Sequence, residues 1–151
     1  MGKLGGEAST ELDASIEEVW DVIVDIESAP DWQDGFESVD VLERDDEDRV
    51  LVAETESDAK VKTVRNRLRF SYEEPHLIEW RQEKGDLKSL VGSWELEDLG
   101  GGVTRVTYML EGDPGRMLGM LVRGPVEDRI REILVDGRPR ELAARAGVPI
   151  S

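Results

Sequence analysis

The apolar positions of this chain change period twice. From Glu7 to Asp13, Ala8, Thr10 and Leu12 fall on one side of an alternating pattern, which predicts a first strand. Ser15 then opens a helix. "SIEE" has the form of a capping box, with Ser15 at the N-cap and Glu18 three residues on. Ile16, Val19, Trp20, Ile23 and Ile26 follow at helical spacing and give one apolar face. Ser28-Ala29-Pro30 ends this helix, and Asp31 to Gln33 is read as one turn of a second.

After Gly35 the period drops to two. The alternation predicts strands at Val39–Arg44, Val50–Ser57, Val61–Tyr72, Leu77–Glu83, Leu90–Leu96 and Val103–Leu110, each bounded by turn residues. The third of these has two clear faces: Val64, Asn66, Leu68, Phe70 and Tyr72 on one, Thr63, Arg65, Arg67 and Arg69 on the other. Glu54 and Glu56, then those arginines, then Glu79 and Glu83 fall on successive strands. That predicts an outward charge ladder on an antiparallel meander. The longer period returns at Asp113-Pro114, read as N-cap and first helical residue. Met117, Leu118, Met120 and Leu121 begin an apolar side that Val126, Ile130, Ile133 and Leu134 continue. Gly124-Pro125 is expected to kink or restart this helix, and Gly137 and Pro139 to weaken its last section.

The order is strand, helix, short helix, about six antiparallel strands, long helix, with no internal repeat or linker. At 151 residues it reads as one domain, with its core at about residues 7–145. The pattern resembles the START and birch-pollen-allergen-like (SRPBCC) superfamily, and within it the polyketide cyclase/dehydrase and coenzyme Q-binding-like bacterial proteins. The resemblance is carried by "ASIEEVWDVIVDIESAPDW" (14–32), "EEPHLIEWRQEKGDLKSLVGSWEL" (73–96), "GGVTRVTY" (101–108) and "DPGRMLGMLV" (113–122). It implies an α+β helix-grip fold: a curved antiparallel sheet of about seven strands around a long C-terminal helix, with two short helices after the first strand. It also implies a mostly apolar cavity between sheet and helix, on the order of 300–1,000 Å³.

Charge narrows the partners. A formal net charge of −16 argues against nucleic acid, whose phosphates need clustered Lys and Arg, and against stable membrane insertion or docking on anionic lipid. Basic residues are mainly arginine. That composition fits a salt-rich cytoplasm, where screening removes self-repulsion, and equally an arginine-rich coding bias. "MGKLGGEAST" has no apolar stretch of a secretory signal, so a cytoplasmic protein is expected. With no cysteine there is no thiol nucleophile or thiolate metal ligand. The single histidine, His76, lies in a turn, so no metal site or other cofactor is expected.

Given the cavity the resemblance implies, its candidate lining is Trp32, Phe36, Asn66, Leu68, Phe70, Trp80, Trp94, Tyr108, Met117, Met120 and Leu121. Trp32 and Phe36 flank the cavity entrance, and flat rings offer dispersion area to a flat or polyprenyl ligand. Asn66 is the most informative polar residue, because on an apolar face it needs a partner: Tyr108, a water or a ligand carbonyl. Catalytic residues stay unassigned, since the inward faces offer no clear Asp, Glu, His or Arg. Three functions remain open. One is a binder of a hydrophobic small molecule (lipid, quinone or polyketide-like). The second is a cyclase, aromatase or dehydratase-like enzyme. The third is a protein-interaction module with a collapsed cavity. A homodimer is compatible with each. In the first two, the break at Gly124-Pro125 would make the last helix a gate.

Overall fold

The computed structural model describes residues 4–60 and 62–151, with the Met117 side chain outside the described part. Seven strands form one antiparallel sheet: β1 (Leu4–Leu12), β2 (Phe36–Arg44), β3 (Val50–Asp58), β4 (Thr63–Glu73), β5 (Leu77–Gly85), β6 (Ser89–Gly100) and β7 (Val103–Asp113). Their spatial order is β1-β7-β6-β5-β4-β3-β2. Hairpins of a few residues join β2 through β7, so neighbours in sequence are neighbours in the sheet. Only β1 and β2 are separated, at the two edges, and the chain crosses between them through α1 (Ile16–Ile23) and a 3-10 turn (Ile26–Asp31). The C-terminal segment comprises α2 (Gly115–Leu121), α3 (Pro125–Arg131), a π-helical turn (Glu132–Asp136) and α4 (Arg138–Ala146). It lies mainly against β1 and β7. The curved sheet and these helices form the expected α+β helix-grip arrangement.

The local signals act as their chemistry requires. Ser15 Oγ accepts from the Glu18 N–H, and the Glu18 carboxylate accepts from the Ser15 N–H, both at 3.2 Å. Ile16, Val19, Trp20 and Ile23 of α1 are buried. The helix breaks at Gly124, where φ is +68°, and restarts with Pro125 at its first turn.

Three local expectations need correction. The short second helix is Ile26–Asp31, not Asp31–Gln33. Ile26 and Ala29 are both buried, and their three-residue spacing suits the tighter 3-10 turn rather than a continuation of α1. Asp113 ends β7, and the N-cap position of α2 falls on Pro114. Asp113 still accepts a backbone N–H, that of Gly115, at 2.9 Å. Finally β1 begins at Leu4, because it pairs with β7 as far as Gly112. Val61, placed in a strand by alternation, lies outside the described residues.

The outer sheet face carries the ladder. Glu54 sits opposite Arg67 and Glu56 opposite Arg65. The pairs Arg65–Glu56 (2.6 Å), Arg67–Glu54 (3.0 Å) and Arg69–Glu83 (2.7 Å) close across β3, β4 and β5. Glu79 is not a rung: its register neighbours are Ser71 and Ser93. Hydrogen bonds from Arg65, and then from Ser38, hold the Glu56 carboxyl below the ordinary carboxylate range. A lowered folded pKa stabilises the native state above the unfolded pKa, and that contribution fades as pH falls through the folded value. Replacing Arg65 by glutamine is expected to move the Glu56 titration upward in an NMR pH series. An unmoved Glu56 would mean that this rung does not form in solution.

Candidate functional site

The inner face of the sheet is where alternation concentrates rings. Phe70 on β4, Trp80 on β5, Trp94 on β6 and Tyr108 on β7 stand side by side. Their ring centroids are 6.1 Å (Phe70–Trp80), 5.8 Å (Trp80–Tyr108) and 4.6 Å (Trp94–Tyr108) apart. Tilted contacts at such separations suit the ring quadrupoles better than face-to-face stacking. One glycine makes the wall possible. Gly92 lies opposite Trp80, and a Cβ there would come within 2.4 Å of the indole, so the ring lies over bare backbone.

Behind this wall are two adjoining cavities. The aromatic chamber has a volume of about 70 Å³, and its wall includes Phe36, Leu68, Phe70, Trp80, Trp94 and Tyr108. The second, of about 90 Å³, lies under the helix break and is bordered by Val64, Leu118, Val122 and Ile130. Asn66, Leu90, Leu110 and Leu134 border both. Glu127 and Arg131, each about one-third exposed, also border the second, which therefore reaches the surface between α3 and β1. Both volumes fall below the several hundred Å³ that the resemblance implied. Leu90, Leu110 and Leu134 occupy the space between sheet and helices instead.

The predicted lining residues divide accordingly. Phe36, Asn66, Leu68, Phe70, Trp80, Trp94 and Tyr108 are brought together around the aromatic chamber. Trp32 is half-buried and packs against Trp94 at 6.1 Å, backing the wall rather than bordering either cavity. Gly35 sets this difference. It adopts φ +79°, and a Cβ there would meet Leu134 at 2.7 Å, so the turn presses close under the C-terminal segment with Phe36 turned inward. Met120 and Leu121 are 64% and 60% exposed and border neither cavity. The phase of α2 explains this correction: Pro114, Leu118 and Val122, four residues apart, take the inner side, so 120 and 121 face outward. Met117 lies outside the described side chains.

The alternation pattern missed one polar residue of consequence. Arg138 is 2% exposed and borders the aromatic chamber. Its Nη1 donates to the Asp34 carbonyl (2.8 Å), the Ile133 carbonyl (3.3 Å) and the Glu141 carboxylate (2.8 Å). Its guanidinium carbon lies 5.8 Å from the Tyr108 ring centroid. Its Nε is buried with no partner among the described residues. A signal was present: Leu134, Arg138 and Leu142 are spaced by four, which puts Arg138 on the apolar side of the last helix.

Gln33, Thr55 and Ser57 also border the aromatic chamber, and two further polar groups, Asn66 and Tyr108, stand among its rings. Asn66 is 5% exposed, and its Oδ1 has no partner among the described residues. Burial pushes the Tyr108 hydroxyl pKa upward, against the opposing pull of the nearby Arg138 charge, so at neutral pH the phenol stays protonated. His76 is exposed, and its Nδ1 faces the Leu96 carbonyl at 3.4 Å, away from both cavities. Among the described residues no group of three or more His, Cys, Asp or Glu is arranged to hold a metal ion. Nor is any described helix long and apolar enough to cross a membrane.

The family model described as polyketide cyclase/dehydrase and lipid transport matches residues 12–137. A protein of known structure from Thermus thermophilus is 20% identical, over 95% of this chain and 96% of its own, with a TM-score of 0.78. A START superfamily protein from Mycobacterium smegmatis is 19% identical over 95% and 93%, with a TM-score of 0.71. The Zhui aromatase/cyclase from Streptomyces sp. R1128 is 19% identical over 96% and 87%, with a TM-score of 0.65. At these identities the likeness shows the fold alone. No curated protein matches the sequence.

Proposed function

The chain belongs to the polyketide cyclase/dehydrase and lipid transport family, and on that premise we propose that it binds one hydrophobic small molecule between its sheet and its C-terminal helices. The observation that carries this reading is the pair of apolar cavities meeting at Asn66, Leu110 and Leu134, one of them walled by rings from four adjacent strands. Filling such a space recovers dispersion contacts that its walls forgo while it is empty. Each space alone, about 70 and 90 Å³, is smaller than the apolar cavity of ~150 Å³ that takes up a benzene. A larger ligand enters by moving Leu110 and Leu134 aside and merging the two spaces.

Binding is favoured over turnover for a chemical reason. A general acid or base works best with a pKa near the operating pH. Arg138 is always charged, and Tyr108 is held protonated by burial. Both carry hydrogen-bond donors, and neither cycles a proton readily at neutral pH. A cyclase or dehydratase-like reaction is the second reading. It is favoured by that same pair of donors, which could polarise a ligand carbonyl.

Native mass spectrometry of the protein from its own organism, followed by organic extraction, tests the reading directly. A defined bound mass supports it. In parallel, the neutral probe 6-propionyl-2-(dimethylamino)naphthalene is expected to bind the purified protein with a blue-shifted emission. Leu110→Trp, which fills the junction of the two cavities, is expected to weaken that binding about tenfold or more, ~1.4 kcal/mol, with the far-UV spectrum unchanged. Equal binding by the filled variant would place the probe elsewhere and count against the cavity.

A further inference from the structure

Beyond whatever the cavities hold, we infer that the end of the molecule at the helix break is a docking surface for an anionic phospholipid bilayer. Three segments close on one another there. The β3–β4 turn (59–62) meets the β5–β6 turn (86–88) through an ion pair between Lys62 and Asp86, 3.5 Å apart. The β5–β6 turn meets the end of β7 through the Lys88 N–H, which donates to the Asp113 carbonyl at 2.8 Å. Beneath them Ala59, Val64, Leu87, Leu118 and Val122 share one small apolar cluster, which holds α2 over this end.

The first support is where the cations sit. Lys60, Lys62, Lys84 and Lys88 are all the lysines among the described residues, and each is exposed in or beside these two turns. Arg116 on α2 and Arg123 at the helix break are exposed as well. The carboxylates of the same stretch are Asp58, Asp86 and Asp113, so this end carries an excess of positive charge on a chain whose total is −16. Glu127 at its rim pairs with Arg131 at 3.0 Å. Lys60, Lys84, Lys88 and Arg116 have no carboxylate partner among the described residues, unlike the laddered Arg65, Arg67 and Arg69. At physiological ionic strength a charge is felt over ~8 Å. A surface met by this end therefore feels these cations more than the acidic body behind them. Net charge by itself speaks against anionic lipid, but its distribution leaves one end suited to it.

The second support is what protrudes among the cations. Met120 and Leu121, 64% and 60% exposed, are the most exposed large apolar side chains of the described residues, and they lie between Arg116 and Arg123 in the chain. Two such side chains supply little of the ~800 Å² per partner that a stable protein interface needs. A bilayer asks for no matching shape. Reversible attachment to it takes two weak signals, an apolar insertion and a basic patch, and both stand here. Long Lys and Arg side chains reach lipid phosphates while the apolar pair sinks between them. α2 is far too short to span a bilayer, so the contact is a surface one.

Co-sedimentation of the purified full chain with vesicles at pH 7 and ~0.15 M salt tests this. Vesicles of equal parts phosphatidylglycerol and phosphatidylcholine are expected to bind it about tenfold or more tighter than phosphatidylcholine alone. Arg116→Glu is expected to weaken that binding about tenfold, and Met120→Ser with Leu121→Ser by a similar factor. All three side chains are exposed, so the far-UV spectrum and Tm are expected to stay unchanged. Arg145→Glu makes the same charge change at an exposed position of α4, outside the three segments, and is expected to leave binding unaltered. Equal binding to both kinds of vesicle, or an equal loss in Arg145→Glu, would overturn the docking surface. So would the absence of binding to either; a dimer lost in the Met120 and Leu121 variant would then assign the face to a second copy of the chain. Probe binding without vesicles tests the cavity reading separately, so either can fail while the other stands.

Discussion

Trp94→Ala is expected to lose about 3–5 kcal/mol of folding stability and to gain room for a larger ligand in the same step. Trp94 is 2% exposed and touches rings on both sides, Tyr108 at 4.6 Å and Trp32 at 6.1 Å. Removing the indole takes away its transfer free energy and leaves a void that β6 cannot close, because β5 and β7 hold that strand on either side. For a chain of this length the loss corresponds to roughly 10 °C in Tm. The new space opens into the aromatic chamber, since Trp94 is part of its wall. A probe too large for the wild-type protein should then bind, and its binding should restore part of the lost Tm. Urea denaturation and a thermal scan with and without probe read both effects. A loss under about 1 kcal/mol would mean that the ring wall is loosely packed, contrary to these contacts.

Arg138→Ala is expected to be comparably severe, about 3–5 kcal/mol, for a different reason. Arg138 donates to the carbonyls of Asp34 and Ile133 and to Glu141, and so ties the turn before β2 to the C-terminal helices. Alanine removes all three of these bonds and leaves the Glu141 carboxylate without its cation. One bond to Glu141 remains, from the Asp34 N–H at 2.8 Å. The origin of the loss can be separated by a second variant. Replacing the pair together, Arg138→Met with Glu141→Leu, removes the buried charge as well as its partner and is expected to recover most of the stability. If the double variant is as unstable as Arg138→Ala, the cost lies in the two backbone carbonyls rather than in the uncompensated carboxylate. If Arg138→Ala itself is nearly neutral, the burial described for this side chain does not hold in solution.

Alternation along β4 alone put Val64, Asn66, Leu68 and Phe70 on one face, and the structure buries all four. Period-two patterning is a local property: once a strand forms, its side chains must point to opposite faces. The capping box at Ser15 and the break at Gly124-Pro125 were legible for the same reason, because a cap and a proline act within one turn. Chain order and the polar hairpins then left few topologies besides a meander.

The site depended on contacts between residues far apart in sequence. Trp32 and Phe36 are equally apolar and four residues apart, yet only Phe36 reaches the aromatic chamber, because Gly35 lets the turn press against Leu134. Met120 and Leu121 read as part of an apolar helix side, and the phase of α2 against the sheet turned them to solvent. That phase is set by which of its neighbours meet the sheet, and no local pattern encodes it. Arg138 is the clearest case. Its charge marks it as a surface residue, and only the approach of Asp34, over a hundred positions earlier, supplies the acceptor that helps offset its burial. The sequence by itself determined the elements and the faces they bury. The tertiary structure decided which of the buried groups border the cavities and which buried polar atoms lack a partner among the described residues. Facing is a local consequence of backbone period, whereas emptiness and satisfaction depend on how distant elements close on one another.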